Sequence, residues 1–263
     1  SITYRSQFIP GLITAGRLLS NCDVAQVILG GAFLSNLSRE AIECLRQHGI
    51  QVCLSDGEHY FRNLFGADHL SDTPFLNADF RGTETAEYFS PVGVIPVVSS
   101  RGCYWSRCRF CDECRESYRM DTLENLTRRL VDLSNQQPDA LIHFCDHAIP
   151  PEVLDLLPKL QLGNHWYGFV RASAKLTNAP DVKKLATSGC SMLQIGFESP
   201  VQDVLHKMNK GVQARWFPEI IRNCRQAGIK VYAYMMFGFP GQSKSDCDSA
   251  VEFLEKNPPD YLN

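Results

Sequence analysis

SSRGCYWSRCRFCDECRES, residues 99–117, follows directly on the β-branched run VIPVVS (94–99). Four cysteines, Cys103, Cys108, Cys111 and Cys114, lie in it at the spacing C-x4-C-x2-C-x2-C. Thiolates at this density bind iron–sulfur clusters or zinc, and ligands carried on one loop converge without a long-range closure cost. A structural zinc usually gathers two separated ligand pairs, whereas here one dense run dominates. A ferredoxin-like reading uses Cys108, Cys111 and Cys114, but the fourth cysteine followed by proline is missing.

Outward from this loop, near-continuous apolar runs alternate with helical patterns. Strands are expected at 94–99, 140–145, 165–170, 192–197 and 229–238, with helices at 122–134, 151–160, 181–188, 215–227 and 244–256. Such strands are covered on both faces, which points to a parallel α/β barrel or a doubly wound sheet. In either architecture the chemistry sits at the C-terminal strand ends, where the cysteine run is placed. Four later strand ends carry candidate residues: Asp146 in FCDHAIP (144–150), Arg171 in VRAS (170–173), Glu198 in GFESP (196–200), and Gly238, Pro240 and Gly241 in FGFPGQS (237–243). Local reasoning alone leaves each with a plain alternative: a satisfied structural acid, a surface arginine, a helix-start acid or an ordinary turn.

RGCYWSRCRFC resembles the cluster loop of radical S-adenosylmethionine (radical SAM) enzymes, with one residue more than the usual C-x3-C-x2-C. GFES followed by VLHKMNKG (204–211), and the GFPGQS turn, are similar to later motifs of the same family. The resemblance covers 93–263 and implies a partial (βα)6 TIM-type barrel. It implies that Cys103, Cys108 and Cys111 hold a [4Fe–4S] cluster with one iron open to S-adenosylmethionine, leaving Cys114 as a spare or alternative ligand. It further implies Phe110 and the Gly238–Pro240–Gly241 turn beside adenine, Glu198 at the ribose, and Arg171 and Asp146 at the methionine end. The implied reaction is reductive cleavage of S-adenosylmethionine to a 5′-deoxyadenosyl radical, fed by an external electron donor such as flavodoxin or ferredoxin. The substrate, whether small molecule, peptide or lipid, is not readable.

The first 66 residues form a strand–helix–strand pattern: AQVILGG (25–31), a helix opened by Ser38 and closed by Gly49, then IQVCLS (50–55). This resembles part of a Rossmann-like cobalamin-binding domain, with Gly30 and Gly31 where backbone approaches the nucleotide tail. Cobalamin is thereby a candidate cofactor, which favours methyl transfer. Residues 67–92, rich in Asp, Thr, Pro and Gly, are expected to be a linker. The chain opens at Ser1 in mid-pattern and stops at PPDYLN as a strand begins, so a longer parent is expected.

Composition sets limits on partners. A formal charge of −3 offers no electrostatic footprint for nucleic acid or an anionic membrane. No apolar run approaches the ~20 residues of a membrane helix, and no signal segment is visible, so the chain reads as cytoplasmic. Two other classes use the same cysteines: a non-catalytic electron-transfer module with four thiolate ligands, and a zinc-stabilised binding module.

Overall fold

The computed structural model describes residues 1–21, 23–54, 57–66, 75, 90–111 and 117–263. Cys114 and nearly all of the expected linker lie outside them. The chain divides into two compact units, Ser1–Pro74 and Phe75–Asn263.

In the first unit, helix α1 (Phe8–Leu19) precedes β1 (Val27–Leu29), α2 (Arg39–Gln47), β2 (Ile50–Val52) and α3 (Gly57–Leu64). β1 and β2 pair in parallel, Val27 opposite Ile50 and Leu29 opposite Val52. These four side chains join Ile2, Leu34 and Ile42 in a small core. Ser38 caps α2 by accepting from the Ala41 amide at 3.2 Å, as its place before the apolar periodicity predicts.

The second unit is built on β3 (Val94–Val97), β6 (Leu141–Phe144), β7 (Trp166–Val170), β8 (Cys190–Glu198), β9 (Lys230–Met235) and β10 (Tyr261–Leu262). They form one six-stranded sheet in chain order, every neighbouring pair parallel. Sequential parallel order is the order of an open TIM-type barrel wall. Helices α4 (Leu123–Gln136), α5 (Pro151–Leu160), α6 (Ala179–Thr187), α7 (Gln202–Lys207), α8 (Phe217–Ala227) and α9 (Lys244–Lys256) lie between successive strands.

Alternation along each strand sends Ile142, Phe144, Trp166, Ile195 and Val231 into the core beneath the helices. Fully burying each such side chain contributes about 1.5–3 kcal/mol. Trp166 is wholly buried against Phe144, and its indole N–H donates to the Ser188 carbonyl at 2.9 Å, so no polar atom is stranded there.

Two features depart from the sequence expectation. β9 ends at Met235 rather than 238, because residues 236–242 leave the sheet for a turn. A short antiparallel pair, β4 (Ser100–Arg101) with β5 (Arg119–Met120), brackets the cysteine run and was not foreseen. Two-residue strands carry no readable period.

Candidate active site

The cysteine run leaves the sheet at β3 and is anchored at its start by Asp146. That carboxylate, 1% exposed, accepts from the Ser99 amide at 3.2 Å, the Ser99 hydroxyl at 2.7 Å and the Ser100 hydroxyl at 2.5 Å. Charge-assisted bonds of this kind are the strong ones. Nearby, the Asp121 amide donates to the Ser99 carbonyl, and Asp121 pairs with buried Arg129 at 2.8 Å. Asp146 therefore sits at the expected strand end, but its described bonds hold the base of the loop.

The far side of the loop docks on residues 207–211. The Trp105 indole donates to the Asn209 carbonyl at 2.9 Å, Asn209 Nδ2 donates to the Arg107 carbonyl at 3.0 Å, and the Arg109 amide donates to Met208 O at 2.9 Å. Gly211 has φ +69°, and a Cβ there would lie 2.0 Å from the Trp105 ring. Only glycine gives both that backbone and that room. The segment MNKG is thus a receptor for the cysteine loop, a role invisible in its spacing.

Lys210 links this dock to the end of β8. Its ammonium pairs with Glu198 at 2.8 Å, with both side chains about nine-tenths buried, and lies 5.5 Å from the Phe110 ring centre. Glu198 has φ +64° beside a register shift in β8, a conformation a non-glycine residue holds only under tertiary constraint. Gly196 leaves the space: a Cβ there would meet the Glu198 carboxylate at 2.4 Å. Arg171 lies over the Trp105 ring at 4.6 Å, donates to the Lys210 carbonyl, and approaches Cys108 Sγ at 3.9 Å. Its guanidinium braces the loop.

The turn after β9 closes the group. Gln242 Oε1 accepts from the Gly238 amide at 2.8 Å and the Phe239 amide at 3.3 Å, and the Lys207 ammonium donates to Gly241 O at 2.7 Å. Pro240 lies in this turn between Phe239 and Gly241. The Met236 amide donates to the Glu198 carbonyl at 2.9 Å. Cysteine loop, Arg171, Glu198, Lys210 and the glycine turn are so connected by direct contacts.

Cys108 is buried, and Cys103 and Cys111 are half-buried. Among the described residues, no three His, Cys, Asp or Glu side chains gather tightly enough for a single metal ion. Thiols carried on one docked loop are the donor type that an iron–sulfur cluster takes. Tyr104, within the loop, has its phenol pushed up to about 12, mainly by burial. It stays protonated.

A cavity of about 300 Å³ opens beside this region, lined by His143, Cys145, Asp146, His147 and Phe169. His143 and His147 stand at H-x3-H spacing, a pair downstream of the cysteine run that the sequence expectation does not include. Burial lowers the His143 pKa, so that ring is neutral at pH 7, and burial followed by the Asp146 charge raises Cys145.

In the first unit the glycine pair packs against the start of the chain. Gly31 has φ +116°, and a Cβ there would strike the Ile2 backbone at 2.4 Å. The Ile2 amide donates to Gly30 O at 2.7 Å and the Phe33 amide to Ile2 O at 3.2 Å. The open side of Gly31 is filled by the chain itself. Its glycine character thus answers to packing, and nothing at Gly31 tests a nucleotide contact.

The family model "Radical SAM superfamily" matches residues 97–254. Bacteriochlorophyllide d C-12(1)-methyltransferase of Chlorobaculum tepidum is 26% identical over 175 residues, covering 62% of this chain and 38% of the relative. This chain thus spans well under half the length of that relative. The radical S-adenosylmethionine methyltransferase TsrM from Kitasatospora setae superposes with TM-score 0.73 at 16% identity, over 96% of this chain and 58% of that one. The cobalamin-dependent S-adenosylmethionine radical enzyme OxsB superposes with TM-score 0.69 at 19% identity, over 97% and 42%. Both likenesses extend through the first unit, and at such identities they establish the fold.

Proposed function

We propose that this chain, which belongs to the radical SAM superfamily, is the cofactor-binding part of an enzyme that cleaves S-adenosylmethionine reductively to modify its substrate by radical chemistry. The observation that carries the reading is the docking of the cysteine loop on residues 207–211, the segment that also presents Lys210 to Glu198. In this reading Cys103, Cys108 and Cys111 hold a [4Fe–4S] cluster, whose one-electron reduction supplies the bond-breaking chemistry when S-adenosylmethionine is bound. The protein's own part is to hold and exclude. Arg171 orients Cys108 and the dock, Phe110 and the Gly238–Pro240–Gly241 turn border the adenine, and Glu198 faces the ribose. Lys210 pairs with Glu198 at 2.8 Å in a buried place and so fixes where that carboxylate stands. Asp146 positions the loop and leaves the methionine end to other groups.

The first unit has the fold of cobalamin-dependent relatives, which favours methyl transfer as the reaction, with cobalamin as the further cofactor. A small molecule, peptide or lipid serves as substrate, and a flavodoxin or ferredoxin as electron donor. No helix among the described residues is long and apolar enough to cross a membrane.

Anaerobic reconstitution followed by EPR of the reduced protein, with and without S-adenosylmethionine, tests the core of this reading. A cluster signal that changes on adding S-adenosylmethionine is expected, and it should vanish in Cys103→Ala, Cys108→Ala and Cys111→Ala. A four-thiolate electron-transfer module gives an unchanged spectrum, and a zinc module gives none. Absorbance titration with hydroxocobalamin tests the first unit separately.

A further inference from the structure

The sheet of the second unit has a second face. His143, Tyr167, Phe169, Gln194, Tyr232 and Tyr234 alternate with the core residues of β6, β7, β8 and β9, so they stand on the side turned away from the helices. Register sets His143 opposite Tyr167, and Phe169, Gln194 and Tyr232 in one cross-strand row. The rings gather in two groups on this face. His143 and Tyr167 stack nearly parallel at 4.3 Å, Phe169 and Tyr234 lie 5.2 Å apart, and Tyr232 and Tyr234 lie 4.9 Å apart.

Gln194 stands in the middle of this surface and is only 9% exposed. Its Nε2 reaches the Tyr234 hydroxyl at 3.5 Å, while Oε1 is buried without a partner. In this orientation the unpaired end of the amide is its acceptor. His143 Nε2 is likewise buried and unpartnered. An aromatic floor with unpaired polar atoms is the composition of a ligand site, in which rings supply area and a few polar groups set orientation. The cavity of about 300 Å³ shares Phe169 and His143 with it. That volume suits a small molecule rather than a protein segment.

We propose that this face binds the substrate, and that the substrate is a flat, uncharged heteroaromatic ring that stacks on the tyrosines and donates an edge N–H to Gln194. The proposal rests on the reading that these strand ends form the catalytic mouth. Charge on the face agrees with it: His143 is held neutral by burial, and burial raises the Tyr167 and Tyr234 phenols, which stay protonated. Tyr232 and Tyr234 are half-buried, and rings at such positions reorient fast enough to admit a ligand to the amide beneath.

Ligand-observed NMR on the full chain, with indole and 1-methylindole as probes, tests this. Indole should bind about tenfold or more tightly than 1-methylindole, the fold-change of one buried hydrogen bond lost. Gln194→Met, of equal length and without polar atoms, should abolish that preference, and Tyr234→Leu should weaken both probes together. Equal affinities in the unmodified protein, absence of binding, or a preference that survives Gln194→Met overturns the proposal. The comparison within the unmodified protein decides even where a variant fails to fold. EPR with S-adenosylmethionine on the same samples keeps the two readings apart: an unchanged spectrum beside a retained indole preference sinks the superfamily mechanism and leaves this site standing.

Discussion

Asp146 and Glu198 are both acids at C-terminal strand ends, both almost wholly buried, and both carry a sequence expectation of cofactor contact. Their surroundings divide them. Asp146 accepts three bonds from Ser99 and Ser100 and so fastens one strand to the next. Glu198 is held in left-handed backbone by a register shift and is balanced by one buried cation, Lys210. Three neutral donors tie Asp146 to the scaffold, whereas in the proposed reading Glu198, on strained backbone against a single cation, is the acid that faces the ligand.

Substitutions can break this contrast. Glu198→Ala leaves Lys210 buried and unpaired, and should cost about 3–5 kcal/mol in urea unfolding. The double variant Glu198→Leu with Lys210→Met should regain most of that stability, yet show no EPR response to S-adenosylmethionine. A full response in the double variant would return Glu198 to a purely structural role. Asp146→Ala strands three buried donors and should cost about 2–4 kcal/mol. It should also lower cluster iron with no cysteine altered, whereas Asp146→Asn keeps an acceptor and should retain most of it.

Gly211→Ala sharpens the dock, since the new methyl displaces Trp105. About 1–3 kcal/mol and partial loss of iron are expected, from strain and overpacking. Gly31→Ala should destabilise only the first unit by a similar amount, read as loss of amide-exchange protection there. The smallest effect concerns Cys145, whose thiol pKa is raised by burial and by Asp146. A raised pKa keeps the thiol protonated to higher pH, so alkylation of Cys145 by iodoacetamide should begin above the ordinary thiol range. Asp146→Asn should shift that profile to lower pH.

Much of the second unit was readable because its strands are apolar runs and its helices carry their own boundaries, as the Ser243–Asp246 capping box of α9 shows. The short β4–β5 bracket was not, because pairing of two residues is decided by partners distant in sequence. Arg171 was placed at the right strand end, but its approach to Cys108 depends on a loop over sixty residues earlier. Gly31 shows the same limit: the Gly-Gly pair is legible as a place of close backbone approach, while the Ile2 backbone that packs against it is not.

The sequence by itself determined the alternation of strand and helix, the cysteine spacing, and the strand ends on which the polar residues fall, because propensity and periodicity act over a few residues. Only the tertiary structure decided that MNKG receives the cysteine loop, that Lys210 balances Glu198, that Asp146 secures serines from another strand, and that Gln194 lies unpaired among rings. Each of those facts depends on which segments, separate in sequence, the fold brings together. The energy of such contacts depends on the exclusion of water, which no local pattern records.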